Sequence, residues 1–569
     1  MRITTSRKAR RFAVAATAAF TLGLTGLVAP ADSAPQRGGS HHAHEQAQRV
    51  VFIVLDQLRP EFIKAFDMKN VQALMRGGTS FPNAYLGHMG SETVVSHNVM
   101  TSGQLPKHMG WADEWFNDPD GVLGVPGTHY VTGSMAQTQF DALIQDKGYP
   151  KLADYLKSEH PGSTVATVGE KNYAVYSMGG PGSDIRLTFS GRSFDCDEDT
   201  TVTQNTWRGP TGVGVPTYIS DPSGANGSNA CKDNPYYVDA DSAINYGTLD
   251  TSPAWMYPLQ GNRDIPGNDP NHQGGDVWVT NAAFDIMDHE TDWSGMLLTY
   301  GGIDKSGHMW GGLNDQPPYP NADPASHMAA MAKIADDQVG RVIGKLKKDG
   351  LLDETLVVLT TDHAQNTADN YFGQDGVNRG NFNWYYGRDA DETYEQPQPE
   401  IQKLIAGTGD NVAMSMQDSA IRTWLKTSTR QTKAQAADVM KTLGGVRAVY
   451  VRAGGHYVKK WEAPRWKWGS RELAWHRKHS QEIVDTQAAA YGPDVIGLLA
   501  NNTSYGVKGD HGGAQESVQR IPIIFYGAGI KAGKKPGTAL RSVDITPTIL
   551  RELGIRETFP TDGVGYKLP

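Results

Sequence analysis

Asp304 and His308 stand four positions apart in the stretch GGIDKSGHMWGG, residues 301–312, directly after the apolar run Met296–Tyr300. Four residues is about one helical turn, so in a helix the two side chains share a face and can point at a common object, such as a divalent metal ion. A surface ion pair, or a capping Asp beside an unrelated His, satisfies the same spacing. The metal reading therefore needs more ligands at the ends of other strands, and the sequence supplies them. Asp56 follows VVFIVL, Asp362 and His363 follow LVVLTT, and His511 sits in GDHGG just before IPIIFY. Asp and His are ligands that zinc accepts, and two sets of three could hold two ions. Taken singly, Asp56 reads as a helix N-cap, Asp362 as a turn residue, His363 as a core histidine and His511 as part of a glycine turn. Taken together, those ordinary readings require a coincidence at every strand end.

A nucleophile is offered by GHMGSETVVSHNVMTSGQLPKHMGW, residues 87–111, where Thr93 opens a helix running through Val94 to Met100. A helix N-terminus favours an anion, so a phosphoryl group over Thr93 would meet free backbone N–H groups. The plainer alternative is that Thr93 or Ser91 only caps this helix.

The elements that position these residues are short β-branched runs ending in polar residues or glycine: Val50–Leu55, Ser163–Val168, Met296–Tyr300, Leu356–Thr361 and Ile521–Tyr526. Continuous apolar runs of this length suit strands covered on both faces, as in a mainly parallel sheet. Helical patterns lie between them, at Tyr149 to Ser158 and Met328 to Lys348, which gives an α/β architecture with helices on both sides of the sheet. In open α/β sheets the site lies beyond the carboxyl ends of the strands, so the Asp and His residues can converge there.

Two intervals interrupt the alternation and read as insertions on the core. Residues 172–275 are rich in Gly, Pro, Asn and Asp, and residues 366–505 carry strand and helix patterns of their own, including a small β-α-β unit. Cys196 and Cys231, the two cysteines, both fall in the first and are most simply a disulfide stapling a loop-rich segment of an exported protein.

Residues 1–34 combine the basic MRITTSRKARRF, the apolar AVAATAAFTLGLTGLVA and small residues for cleavage, the pattern of a secretory signal peptide; Arg10-Arg11-Phe12 admits a twin-arginine signal. Residues 35–47 read as a flexible mature N-terminus. Later apolar runs fall short of the ~18 residues a membrane span requires, so the mature protein is expected to be soluble and secreted. Removing residues 1–34 takes the 53 basic and 62 acidic residues to 48 and 61, a net −13. That balance argues against binding a nucleic-acid duplex, which relies on many Lys and Arg contacts.

The order Asp56, Thr93, Asp304-x-x-x-His308, Asp362-His363 and His511 resembles the alkaline phosphatase superfamily. Within it, the chain looks most like the type I phosphodiesterase/nucleotide pyrophosphatase group and the related single-threonine alkaline phosphatases. The resemblance spans roughly residues 48 to 565, and RSVDITPTILRELG looks like the last helix of that fold. It implies a three-layer α/β/α sandwich in which residues 48–569 form a metal-dependent phosphohydrolase domain with the two insertions. It also implies two zinc ions per chain. Asp56, Asp362 and His363 would bind the zinc that contacts Thr93, and Asp304, His308 and His511 the other. The chemistry implied is attack by Thr93 on phosphorus, a phosphothreonine intermediate, and hydrolysis with net retention.

Two stretches depart from the relatives. An Asn that donates to a phosphate oxygen is usual about twenty residues past the nucleophile; here Asp113 or Glu114 stands at the matching point and Asn117 slightly later. In VGEKNYAVYSMGG, Lys171 matches the first of two cations that hold a monoester's extra charge, while Tyr173 stands where a monoesterase has Arg. With aromatic residues concentrated in WFNDP, NPYYV and NFNWYYG, these departures favour phosphodiesters or nucleotide pyrophosphate bonds over monoesters. An alkaline phosphatase-type monoesterase and a non-catalytic phosphate-ligand-binding protein are the alternatives. A sulfatase is excluded, because Val-Val-Ser-His after Thr93 lacks the Pro and Arg that formylglycine formation requires. A phosphoglycerate mutase-type enzyme fits neither export nor a Thr nucleophile.

Overall fold

The computed structural model describes residues 47–188, 210–220, 275–310, 324–366, 399–506 and 509–569, with the two-residue strands at 207–208, 238–239, 370–371 and 385–386. Residues 1–46, which include the expected signal peptide, and Cys196 and Cys231 with their expected disulfide lie outside the described residues.

Eight strands build the central sheet: β1 (Arg49–Leu55), β2 (Thr79–Ser80), β3 (Val165–Gly169), β4 (Ile185–Thr188), β5 (Thr211–Val213), β6 (Gly295–Tyr300), β7 (Thr355–Thr360) and β8 (Ile524–Gly527), in the spatial order β2-β8-β7-β1-β6-β3-β4-β5. The inner strands β7, β1, β6, β3 and β4 are parallel, and β8, β2 and β5 add antiparallel edges. The apolar run 521–526 enters the sheet only from Ile524, because Pro522 has no N–H to give to a ladder.

Strand β1 is apolar throughout because both its faces are covered. Val51, Ile53 and Leu55 belong to one core with Trp278, Val279, Met331 and Val339 from the helices Gly275–His289 and Pro324–Lys348. Val50, Phe52 and Val54 belong to another with Leu152, Leu156, Ile545 and Ile549 from the helices Leu152–Glu159 and Ile545–Glu552. Successive side chains of a strand point to opposite faces, so this division makes the protein a three-layer α/β/α structure. Truncating Phe52, fully buried, to Ala would cost about 3–5 kcal/mol.

Register places the site. Leu55 pairs with Tyr300 and Val54 with Thr360, so β1, β6 and β7 end side by side. Asp56 N–H donates to Tyr300 O at 3.0 Å, continuing the ladder one step beyond the strand. Gly169 of β3 pairs with Thr299, which brings Glu170 and Lys171 to the same rim.

A second sheet of six strands lies within residues 385–499, in the order Tyr385–Tyr386, Val412–Gln417, Ala420–Leu425, Val495–Leu499, Val446–Arg452, Tyr457–Glu462, all antiparallel to their neighbours. The β-α-β unit read from the sequence corresponds to strand Ala420–Leu425, helix Arg430–Met440 and strand Val446–Arg452, with Val495–Leu499 between the two strands. The described part of 172–275 is less separate. Helix Asn172–Gly179 leads into β4, and β5 follows, so both ends of this interval contribute to the central sheet. Among the described residues, no helix is long and apolar enough to cross a membrane.

Candidate functional site

Helix α1 (Thr93–Ser102) has all ten residues buried and ends at Gly103, whose φ of +69° closes the helix in the left-handed region. Its N-cap residue, Glu92, has extended backbone angles but gives no side-chain cap, and neither Ser91 nor Thr93 supplies one. The first intrahelical bond is Ser96 N–H to Glu92 O at 2.9 Å, which leaves the preceding amides without a helical partner. The helix start is thus open towards an anion, and the capping alternative for Thr93 falls away.

Thr93 Oγ1 lies 3.3 Å from His363 Nε2 and 3.4 Å from Lys171 Nζ. The Lys171 ammonium bridges two strand ends, at 2.6 Å from Asp56 Oδ2 and 2.5 Å from Asp304 Oδ2. Helix α2 (Gly302–Trp310) begins just past β6 and carries Asp304 and His308 on one face, with His308 Nε2 3.0 Å from Asp304 Oδ1. The His511 ring stacks on His363 with centroids 3.9 Å apart and meets His308 edge-on at 5.0 Å. Six residues from four strand ends and one late loop therefore converge on Thr93.

Among the described residues, two groups could hold a metal ion, Asp304 with His308 and His511, and Asp56 with Asp304 and His363, each with ligand atoms within 4.8 Å of one another. The first coincides with one of the two sets that the family resemblance implies. In the second, Asp304 takes the place expected of Asp362, whose Oδ2 lies 3.3 Å from His363 Nε2. The mixed carboxylate and imidazole donor set suits a divalent cation of the zinc type. Asp56 Oδ1 and Asp362 Oδ2 are buried and accept no hydrogen bond among the described residues, and buried acceptors of this kind are costly unless something positive meets them. Lys171 places one positive charge between the two groups.

Electrostatics shows how strongly these groups interact. Burial, with Asp304 and Asp362 alongside, pushes the Asp56 carboxyl well above its ordinary range. Burial acts on Asp304 in the same direction, but His308 and Lys171 outweigh it and hold that carboxyl well below. Burial and the neighbouring His511 hold His363 neutral. Two carboxylates and one ammonium this close share charge among them, the environment expected of a functional site.

A cavity of about 220 Å³ at Thr93 is lined by Glu114, Lys171, Tyr173, Asp304, His308 and His511, and also by Val131, Met416 and Gln417. Glu114, one of the two acids at the point where the resemblance leads one to expect Asn, lines this cavity, and burial together with Asp113 pushes its carboxyl up to about 8. Asp113 turns away into an ion cluster with Arg422. Asn117 is not among the lining residues; it lies in strand Trp115–Asp118 opposite His129.

His97, Met416 and Gln417 were not singled out from the sequence. His97, one turn after Thr93, donates from Nδ1 to Thr93 O at 2.7 Å and accepts at Nε2 from the Thr299 hydroxyl at 2.8 Å, tying the Thr93 turn to β6. Burial holds this imidazole below its ordinary range, consistent with the neutral form these bonds require. The spacing Thr93-x-x-x-His97 was the available signal. Gln417 and Met416 line the cavity from the second sheet, a contact that only the fold reveals.

A family model described as type I phosphodiesterase / nucleotide pyrophosphatase matches residues 50–461. The alkaline phosphatase PhoD of Zymomonas mobilis is 23% identical over 160 residues, 27% of this chain and 28% of that protein. The alkaline phosphatase PhoK of Sphingomonas is 26% identical over 143 residues, 24% of this chain and 25% of that protein. The chain thus spans about a quarter of the length of the curated relatives it matches. A solved structure of the alkaline phosphatase PafA, a multiple mutant, superposes with a TM-score of 0.62 at 15% identity, covering 91% of this chain and 98% of that one, and establishes a shared fold.

Proposed function

The chain belongs to the type I phosphodiesterase / nucleotide pyrophosphatase family, and from that premise we propose that it is an exported phosphoric ester hydrolase with Thr93 as nucleophile and two zinc ions as cofactors. The observation that carries this reading is the placement of Thr93 Oγ1 at an uncapped helix start, 3.3 Å from His363 Nε2, between two Asp/His groups that can each hold a metal. Asp56, Asp362 and His363 would hold the ion nearer Thr93, and Asp304, His308 and His511 the other. Bound zinc would supply Lewis-acid chemistry, lowering the pKa of hydroxyl and water and offsetting charge on the leaving oxygen.

The chain's own residues do the rest. The open amides at the start of α1 receive phosphoryl oxygens and orient phosphorus above Oγ1. Attack forms the Oγ1–P bond as the bond to the leaving oxygen breaks, and the Thr93 hydroxyl proton ends on that oxygen, giving an alcohol or a phosphate and a phosphothreonine that keeps the second ester group of a diester. Water then forms a new O–P bond as the Oγ1–P bond breaks, and one of its protons ends on Oγ1. His97 fixes the first turn of the helix throughout, by its bonds to Thr93 O and Thr299.

For substrate, the cavity favours phosphodiesters or nucleotide pyrophosphate bonds. Lys171 is already engaged by two carboxylates, and Tyr173 offers only a neutral hydroxyl where the resemblance leads one to expect an Arg, so a second phosphate charge finds few cationic partners. Val131, Met416 and Tyr173 offer apolar surface to a second organic group. A monoesterase is the second reading, favoured by Lys171 Nζ at 3.4 Å from Thr93 Oγ1 and by the names of the relatives PhoD, PhoK and PafA. The test compares kcat/KM for p-nitrophenyl phosphate, bis-p-nitrophenyl phosphate and a nucleoside triphosphate on one zinc-loaded preparation. A monoester preference of about a hundredfold, roughly 2.7 kcal/mol of transition-state binding, would overturn the diester reading. Absence of turnover on every ester would leave a phosphate-binding protein.

A further inference from the structure

Arg422 lies on strand Ala420–Leu425 of the second sheet and is fully buried. Its guanidinium serves three carboxylates at once. Nε donates to Asp113, Nη2 to Glu92 Oε1 and, at 3.3 Å, to Asp113 Oδ1; Nη1 and Nη2 form a fork on Asp418 at 2.7 and 2.8 Å. Each carboxylate belongs to a different part of the site. Glu92 immediately precedes Thr93, and its other oxygen accepts from Glu114 N at 3.0 Å. Asp113 begins the segment that brings Glu114 to the cavity. Asp418 lies against the His511 loop: a Cβ on Gly512, at φ +79°, would come 1.9 Å from Asp418 Oδ2, and Ser419 N–H donates to His511 O at 3.1 Å. The loop is also tied to the nucleophile's side, since Gly512 N–H donates to Ser91 O at 3.2 Å.

A buried arrangement of one cation and three carboxylates is a poor device for stability, because desolvating the charges offsets most of their attraction and apolar replacements of similar volume often serve as well. It is a good device for geometry. Arginine's planar fork fixes the directions of its partners as well as their distances, which lysine's single ammonium cannot do. Here the partners lie 330, 309 and 4 residues away in sequence, and all three meet at Arg422.

We infer that Arg422 is a positioning residue: from the inserted sheet it sets the start of the nucleophile helix and the His511 loop in fixed relation to each other, so the insertion is a working part of the active centre. The inference rests on Thr93 as nucleophile and His511 as ligand. Misplacement of a reacting group by about 1 Å costs on the order of 100-fold in rate, and this sets the size of the effect.

The test uses zinc-loaded full-length protein carrying Arg422→Lys or Asp418→Asn. Kcat, KM, the rate of zinc loss to a chromogenic chelator and the thermal midpoint are measured for each. Arg422→Lys is expected to lower kcat about 100-fold with KM changed less than threefold, and to speed zinc loss at least tenfold. Asp418→Asn, which loosens only the His511 side, is expected to speed zinc loss with a smaller fall in kcat. A purely structural ion cluster predicts a lower thermal midpoint with kcat per folded molecule and zinc loss unchanged, and that result would overturn the inference. So would a fall in kcat with zinc held as in the parent. If Arg422→Lys does not fold, Asp418→Asn decides alone by its zinc-loss rate. Activity surviving Thr93→Ala would refute the nucleophile, while the zinc-loss measurement would still report the hold on His511.

Discussion

Lys171 Nζ and Asp304 Oδ2 lie 2.5 Å apart, both buried, at the ends of neighbouring parallel strands. With Asp56 on its other side, the ammonium neutralises carboxylates that would otherwise face one another across the rim. Burial alone would depress this lysine, but Asp304 and Asp56 outweigh it and hold it well above its ordinary value.

Lys171→Met should therefore destabilise the metal-free protein, by roughly 3 kcal/mol or more, since removing one partner leaves buried carboxylates uncompensated. Zinc restores positive charge at the same place, so the rise in thermal midpoint on adding zinc should be larger in the variant than in the parent. Equal rises would mean that Lys171 and the metals do not share these carboxylates.

Elemental analysis of purified protein should find about two zinc ions per chain, falling towards one in His308→Ala or His363→Ala. An active preparation free of metal would refute the two-ion reading.

Thr93→Ala should lose several orders of magnitude in kcat while keeping its metals, because the ligands of both groups remain. Near-normal turnover would shift attention to Ser91, whose hydroxyl reaches only Gly513 O at 3.4 Å.

Away from the site, His476 on helix Ser470–Asp485 links stability to pH. Burial, opposed only in part by Glu462, takes its imidazole from 6.5 down to about 4. Below pH 6.5 the unfolded chain binds a proton there that the folded chain refuses until about pH 4, so stability falls as pH drops through this window, by on the order of 3 kcal/mol in all. His88, taken down to about 3 by burial, adds to the loss. Urea midpoints at pH 7 and pH 5 should differ less in His476→Gln than in the parent. An unchanged difference would assign the acid sensitivity elsewhere.

The strands and the positions of the candidate ligands at their ends were legible because both depend on local pattern. Apolar runs covered on two faces carry their signature in five or six consecutive residues, and Asp56, Asp304, Asp362 and His363 follow such runs directly. His511 needed only the strand after it. Arg422 gave no such signal: in SAIRTWL it is one polar residue in a strand, and its partners Glu92 and Asp113 are separated from it by more than three hundred residues. The choice between Glu114 and Asn117 was equally hidden. It depends on where the hairpin of Trp115–Asp118 with Thr128–Val131 begins, which fixes the residue that stops at the cavity and the one that passes beyond it. The shared role of Asp304 depends on the reach of two strand ends towards each other, a distance that spacing along the chain does not encode.

The neighbours of strand β1 also set a timetable for the chain. Its two partners, β6 and β7, begin at Gly295 and Thr355, so an apolar strand made among the first residues of the core waits for some three hundred more before both its edges are paired. At about 5–20 residues per second, synthesis alone imposes roughly 15–60 s of delay. During that interval the backbone of Val50–Leu55 offers bare edges to any other extended chain nearby. A chain interrupted before Thr355 would keep one of those edges permanently, and truncated products of this length should be the ones that aggregate.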